Sequence, residues 1–86
     1  MNKLYARDYC PNGIEAIALL LSLNYKPEIF DVGGTYFQHH ASDVKSISEE
    51  EFTIQFPKVT VFPFAILDGI HLEGLPAIRK YVSIEH

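Results

Sequence analysis

The chain has 86 residues, 48% of them apolar and 21% charged, which is the composition of one globular domain spanning residues 1–86 and excludes both a two-domain enzyme and a low-complexity segment. The formal net charge is −4, and the seven Lys and Arg are scattered from Lys3 to Lys80, so a phosphate-neutralising nucleic-acid binder is excluded. A domain this short buries only about 60–65% of its unfolded surface, so the six Phe and five Tyr carry much of its core.

Lys3 to Ala6 reads as a short strand, followed by a turn over Asp8-Tyr9-Cys10-Pro11-Asn12-Gly13. Ile14, Ile17, Ala18 and Leu21 then recur at helical spacing, with Leu19, Leu20 and Leu23 widening the apolar face. Pro11 suits the first helical turn, where a missing N–H costs nothing, and Asn24 is a helix stop. This apolar stretch falls far short of the roughly 20 residues of a membrane span. Nor does it read as a signal peptide: Glu15 interrupts it, and Asn24-Tyr25-Lys26 follows without a small-residue cleavage pattern.

Lys26 to Val32 reads as a second strand, with Ile29, Phe30 and Val32 as its apolar residues and Gly33-Gly34 at its end. Residues 35–47 show no pattern. Ser48-Glu49-Glu50-Glu51 is a capping-box sequence with acids where the helix dipole favours them, opening a short helix that ends before Pro57. Phe64 to Leu67 is a third strand, Asp68-Gly69 a hairpin signal, and Ile70 to Glu73 a fourth strand. Pro76 opens a last helix with Ile78, Tyr81 and Val82 as its inward stripe. The order β-α-β-α-β-β-α predicts an α/β (α+β) domain with a four-stranded mixed sheet and helices on both faces: two parallel strands from the first β-α-β unit, and an antiparallel pair from the hairpin.

Cys10 is the candidate reactive group. Between a strand end and a helix start, its thiol faces the free N–H groups of the first turn, where the positive end of the helix dipole favours a thiolate. Arg7, three residues upstream, adds positive charge, and Asp8 opposes it. The alternative is a buried, inert cysteine acting as a small hydrophobe; the strand-Cys-Pro-helix placement favours the reactive reading. As the only cysteine, it can form no internal disulfide, and a reducing compartment is expected.

The segment Lys3-Leu4-Tyr5-Ala6-Arg7-Asp8-Tyr9-Cys10-Pro11-Asn12-Gly13 resembles the active-site segment of the glutaredoxins, with Arg7 where that family usually carries Lys. Phe62-Pro63-Phe64-Ala65-Ile66-Leu67-Asp68-Gly69-Ile70-His71-Leu72-Glu73-Gly74-Leu75 resembles their second signature, in which Thr-Val-Pro precedes a strand, a Gly turn, another strand and Gly-Gly. The two segments stand at the matching separation, and the order of elements agrees over essentially the whole chain. The resemblance implies a thioredoxin-like fold and glutathione-linked thiol–disulfide exchange, with Cys10 as the nucleophile and Tyr9, Pro11 and Gly13 as its neighbours. It also implies a glutathione site formed by Arg7, Asn12, Phe62, Pro63, Gly74, Leu75 and Ala77. Pro63 would be cis and lie against the cysteine, leaving the backbone of Phe62 free to pair with an extended peptide; a trans proline that merely starts a strand is the alternative. Glutathione would be a co-substrate, with no metal. Partners would be glutathionylated or disulfide-containing proteins. Ribonucleotide reductase is a typical client of short members in bacteria and phages. A monomer in the cytoplasm, or in the host cytoplasm for a viral chain, is the corresponding expectation.

The departures shape the chemistry. The familiar Cys-Pro-Tyr-Cys has its second cysteine at the position of Gly13 and its Tyr at Asn12. Without a resolving thiol, only a one-thiol route remains, in which Cys10 exchanges with a glutathione mixed disulfide. The motif is not the Cys-Gly-Phe-Ser of the iron–sulfur-carrying branch, and glutathione-assisted cluster binding by a dimer is a weaker alternative. Glu73 replaces the first Gly of Gly-Gly, Ala77 stands where an Asp often meets the γ-glutamyl amine, and Pro76 removes a backbone donor. A weakened glutathione site is expected. These changes favour the competing reading, a non-catalytic thioredoxin-fold module that binds proteins in the groove near Phe62 and Pro63. Cys10, Pro11, Arg7 and Pro63 in register favour the enzyme.

Elsewhere, His39-His40 lacks zinc-site spacing and reads as a solvated loop. His71 is expected on the surface. Tyr36-Phe37 and Phe62-Phe64 are expected in the core rather than on a docking surface.

Overall fold

Successive side chains of a strand point to opposite faces, and in the first strand of this chain both faces are covered. The computed structural model describes residues 2–7, 10–33 and 44–85. Within them the elements are β1 (Lys3–Ala6), α1 (Pro11–Ser22), β2 (Glu28–Val32), β3 (Lys45–Ile47), α2 (Glu49–Gln55), β4 (Phe64–Leu67), β5 (Ile70–Glu73) and α3 (Leu75–Glu85). Leu4 and Ala6 of β1 enter one apolar cluster and Tyr5 enters another, as befits the middle strand of the sheet order β3-β2-β1-β4-β5. β1 runs parallel to β2, with Leu4 opposite Ile29, and antiparallel to β4, with Tyr5 opposite Phe64. The Asp68-Gly69 hairpin pairs β4 with β5, and both turn residues have positive φ, 54° and 81°, as a tight two-residue turn requires.

The fold is the expected α/β class with a mixed sheet, but the sheet has five strands rather than four. The addition is β3, parallel to β2 at the sheet edge. It has three residues and only Ile47 is buried, so it is too short to show an alternating pattern. β2 also starts at Glu28 rather than Lys26, because Lys26 has a φ of 50° and Pro27 intervenes before the ladder begins.

One face of the sheet carries α1 and α3. Gly13, Ala16, Ile17 and Leu20 are the buried residues of α1, while Ala18 and Leu21 face solvent, contrary to the stripe expected from spacing. The small residues decide this: a Cβ at Gly13 would stand 3.0 Å from the Cβ of Ala6, so the helix lies closest to β1 along its Gly-Ala side. α1 ends in a Schellman motif, with Asn24 at φ 63° donating to the Leu21 carbonyl and Tyr25 N–H donating to that of Leu20. Leu75, Ile78 and Val82 of α3 complete the cluster, and Arg79 pairs with Glu15 across the two helices.

The other face is aromatic. Phe52, the buried residue of α2, meets Tyr5, Phe56, Phe62 and Phe64, and Tyr5 stacks on Phe30 with centroids 4.7 Å apart. Burial, with a contribution from Glu28, pushes the Tyr5 hydroxyl above its ordinary value. Ser48 caps α2 as expected, its Oγ accepting from Glu51 N–H at 3.0 Å. Because Phe52 anchors α2, Phe52→Ala should lower the unfolding free energy by about 3 kcal/mol or more. A urea midpoint close to wild type would contradict that packing.

The edge strand is tied in by Lys45 Nζ, 2.6 Å from Glu28 Oε2. This hydrogen bond, aided by the charges of Lys45 and Lys3, holds the Glu28 carboxyl below its usual range. A carboxyl lowered in the folded state adds stability above its unfolded pKa and loses it as pH falls through the folded value. Lys45→Met should therefore reduce stability slightly at pH 7 and not at a pH where Glu28 is protonated. Equal losses at both, measured by urea unfolding, would rule the pair out as the cause.

Candidate functional site

β1, β2, β3 and β5 all point the same way, and α1, α2 and α3 follow β1, β3 and β5. The carboxyl ends of four strands, the start of β4 and the first turns of three helices therefore share one end of the sheet. Ligand crevices in open α/β sheets form at such ends.

Cys10 sits there as the N-cap of α1, with extended backbone (φ −98°, ψ 113°) and no side-chain capping bond. Its N–H donates to the Arg7 carbonyl at 3.1 Å, and its own carbonyl accepts from Gly13 and Ile14 at 3.0 and 3.3 Å. The residue is half-buried and belongs to neither apolar cluster. Pro11 and Asn12 are exposed on the first turn, and Gly13 is buried against β1.

Arg7 links this turn to the opposite strand. Extending the Tyr5–Phe64 register places Ala6 against Pro63 and Arg7 against Phe62. The Arg7 guanidinium lies 4.6 Å from the centroid of the half-buried Phe62 ring, within cation–π range. Its Nη2 forms an ion pair with Glu49 Oε1 at the start of α2. Its Nη1 lies 3.5 Å from where a Cβ on Gly33 would stand, at the end of β2. Arg7 thus touches β2, α2 and the approach to β4.

The Phe62–Pro63 peptide bond is cis. The Pro63 carbonyl accepts from Gly74 N–H at 2.8 Å, which clamps the start of α3 against this turn. Gly74 is buried with a φ of 89°, and a Cβ there would lie 3.3 Å from Val61 Cγ1. Leu75 is buried and Ala77 half-buried in the first turn of α3. Among the described residues, the backbone N–H and C=O of Phe62 have no hydrogen-bond partner. Glu73 is exposed, and its Oε1 lies 3.4 Å from Thr60 N–H.

Cys10, Arg7, Pro11, Asn12, Gly13, Phe62, Pro63, Gly74, Leu75 and Ala77 therefore all lie at one sheet end. Tyr9 and Asp8 lie outside the described residues, as do Gly34, Tyr36, Phe37, His39 and His40. Phe64 is in the core and His71 is exposed, its ring edge-on to Phe56 and Phe64. Reading the sequence missed two acids. Ser48-Glu49-Glu50-Glu51 marks a helix start, and nothing local reveals the pairing of Glu49 with Arg7. Asp31, fully buried near the end of β2, shares an inward-facing parity with Ile29, a signal that was available. Among the described residues, no group of three or more His, Cys, Asp or Glu could hold a metal ion, and no helix is long and apolar enough to cross a membrane.

The arrangement offers a half-buried cysteine at a helix start, bonded through its N–H to Arg7, whose guanidinium lies on Phe62, and a Phe62 backbone that makes no hydrogen bond among the described residues. No family model, curated protein or solved structure matches the chain. The close seat of α1 makes one prediction. Gly13→Val should destabilise by about 1–3 kcal/mol through overpacking, and Ala6→Gly should recover part of that loss in the double variant. Strict additivity of the two changes would mean that the Gly13–Ala6 approach does not set the helix position.

Proposed function

We propose that the protein is a glutathione-linked thiol–disulfide oxidoreductase of glutaredoxin type, acting through Cys10 alone on a thioredoxin-like fold. The observation that carries this reading is the Arg7 junction. Its carbonyl accepts from Cys10 N–H at 3.1 Å while its guanidinium lies 4.6 Å from the Phe62 ring centroid, so the two segments that resemble the family's signatures meet. The strand order supports it too: without the short edge strand β3, a four-stranded mixed sheet with helices on both faces remains.

The chemistry needs one thiolate. Cys10 Sγ attacks the glutathione sulfur of a mixed disulfide. The substrate sulfur leaves with the bonding pair and takes up a proton, and Cys10 is left joined to glutathione. A second glutathione thiolate attacks the glutathione sulfur of that adduct, yielding glutathione disulfide and restoring the Cys10 thiolate. The sum is one mixed disulfide and one glutathione converted to one free thiol and one glutathione disulfide. The first turn of α1 faces the charge on Cys10. The backbone of Phe62, unbonded among the described residues, holds the glutathione backbone as a short added strand, and the first turn of α3 offers the N–H groups of Leu75 and Ala77 to its γ-glutamyl carboxylate. Clients are glutathionylated proteins in a reducing compartment, the cytoplasm, and the working unit is a monomer.

The engagement of Arg7 by Glu49, together with Glu73 and Pro76, favours the competing reading of a protein-binding module that has lost turnover. Activity separates the two. With glutathione and a glutathionylated peptide, the protein should release peptide thiol at a rate that saturates with substrate, and Cys10→Ser should fall to the uncatalysed rate. Turnover that survives in Cys10→Ser, or wild type no faster than buffer, would overturn the enzymatic reading.

A further inference from the structure

Arg7 is bonded through its carbonyl to Cys10 N–H, and its guanidinium is already paired. Glu49 Oε1 contacts Nη2, the Phe62 ring covers one face of the group, and the end of β2 approaches Nη1 at Gly33. This contact depends on β3: the added edge strand delivers Ser48 and Glu49 to the end of the sheet where β1 delivers Arg7. Ser48 caps the helix start that holds Glu49, and Gly33 N–H, bonded to the Ile47 carbonyl at 3.0 Å, fixes β3 against the turn beneath the guanidinium. The backbone that carries Glu49 is therefore anchored beside Arg7.

We propose that Glu49 is a built-in competitor for anionic ligands at Arg7, so that it sets the specificity of the thiol site. This rests on the reading of the site as one for glutathione-bearing disulfides. Glu49 occupies Nη2 and offsets the charge of the guanidinium, so a substrate carboxylate meets competition there, whereas a thiol or disulfide without a nearby carboxylate incurs none. The Arg7 side chain is 23% exposed and that of Glu49 61%, so the pair is solvent-screened and displaceable rather than locked. The result is weakened discrimination in favour of glutathione and a relative preference for neutral or cationic disulfides.

The test compares S-methylglutathione with its diethyl ester, in which both carboxylates are capped, by amide NMR titration of the full chain. Glu49→Gln should bind S-methylglutathione roughly two- to five-fold more tightly than wild type, the range expected from releasing one exposed ion pair. Affinity for the diester should be unchanged. Glu50→Gln removes the same charge from the same helical turn and should leave both affinities near wild type. An unchanged affinity in Glu49→Gln, equal tightening of both ligands, or equal tightening in Glu50→Gln would overturn the proposal. Peptide-thiol release, measured on the same variants, reports on the enzymatic reading separately. Selective tightening without Cys10-dependent turnover would sink the enzyme and leave the competitor standing. Cys10-dependent turnover with an unmoved affinity ratio would do the reverse.

Discussion

Gly13 has no Cβ, and the place where one would stand is 3.0 Å from the Cβ of Ala6. That close approach of α1 to the central strand governs the end of the sheet where Cys10 and Arg7 lie. It turns Gly13, Ala16, Ile17 and Leu20 inward, brings Cys10 to the end of β1 as the helix N-cap, and leaves its carbonyl bonded to the N–H groups of Gly13 and Ile14. The residue that gives the helix its seat is also the position where a second cysteine would complete a two-thiol motif. Tight packing of the helix on its strand thus falls at the one residue where a cysteine would give a Cys-x-x-Cys spacing.

From that seat the rest of the site follows by short links. Arg7 is the last residue before the turn. Its backbone holds Cys10 and its side chain spans Phe62, Glu49 and the Gly33 turn. Gly74 N–H on the Pro63 carbonyl then joins α3 to the same place. Each of these contacts is individually modest. An exposed ion pair contributes about 0.2–1 kcal/mol and a cation–π contact at a partly exposed site about 0.5–1 kcal/mol. Their importance lies in direction, since each ties a different element to the end of β1.

Much of this was legible in the residues. β1 was recognisable from a short β-forming run before a Cys-Pro turn, and the Asp68-Gly69 hairpin from a dipeptide that tolerates two positive φ values. Asn24 was readable as a helix stop because it adopts the left-handed region at modest cost. What escaped notice has physical reasons. β3 has one buried side chain in three residues, so no periodicity marks it. The helical spacing of Ile14, Ile17, Ala18 and Leu21 points to a face that includes Ala18 and Leu21, whereas the packing is governed by the smallest side chains, Gly13 and Ala16, which turn inward with Ile17 and Leu20. The Arg7–Glu49 pair joins residues far apart in sequence, brought together only by a strand that the sequence does not announce.

The central claim is that Cys10 forms a covalent adduct with glutathione during exchange. Intact-mass measurement after mixing the protein with one equivalent of glutathionylated peptide tests it most directly. The account predicts a single glutathione added to the protein, mapped to Cys10, appearing as peptide thiol is released and disappearing on addition of free glutathione. Peptide thiol released without any adduct, or an adduct carrying the peptide instead of glutathione, would contradict it.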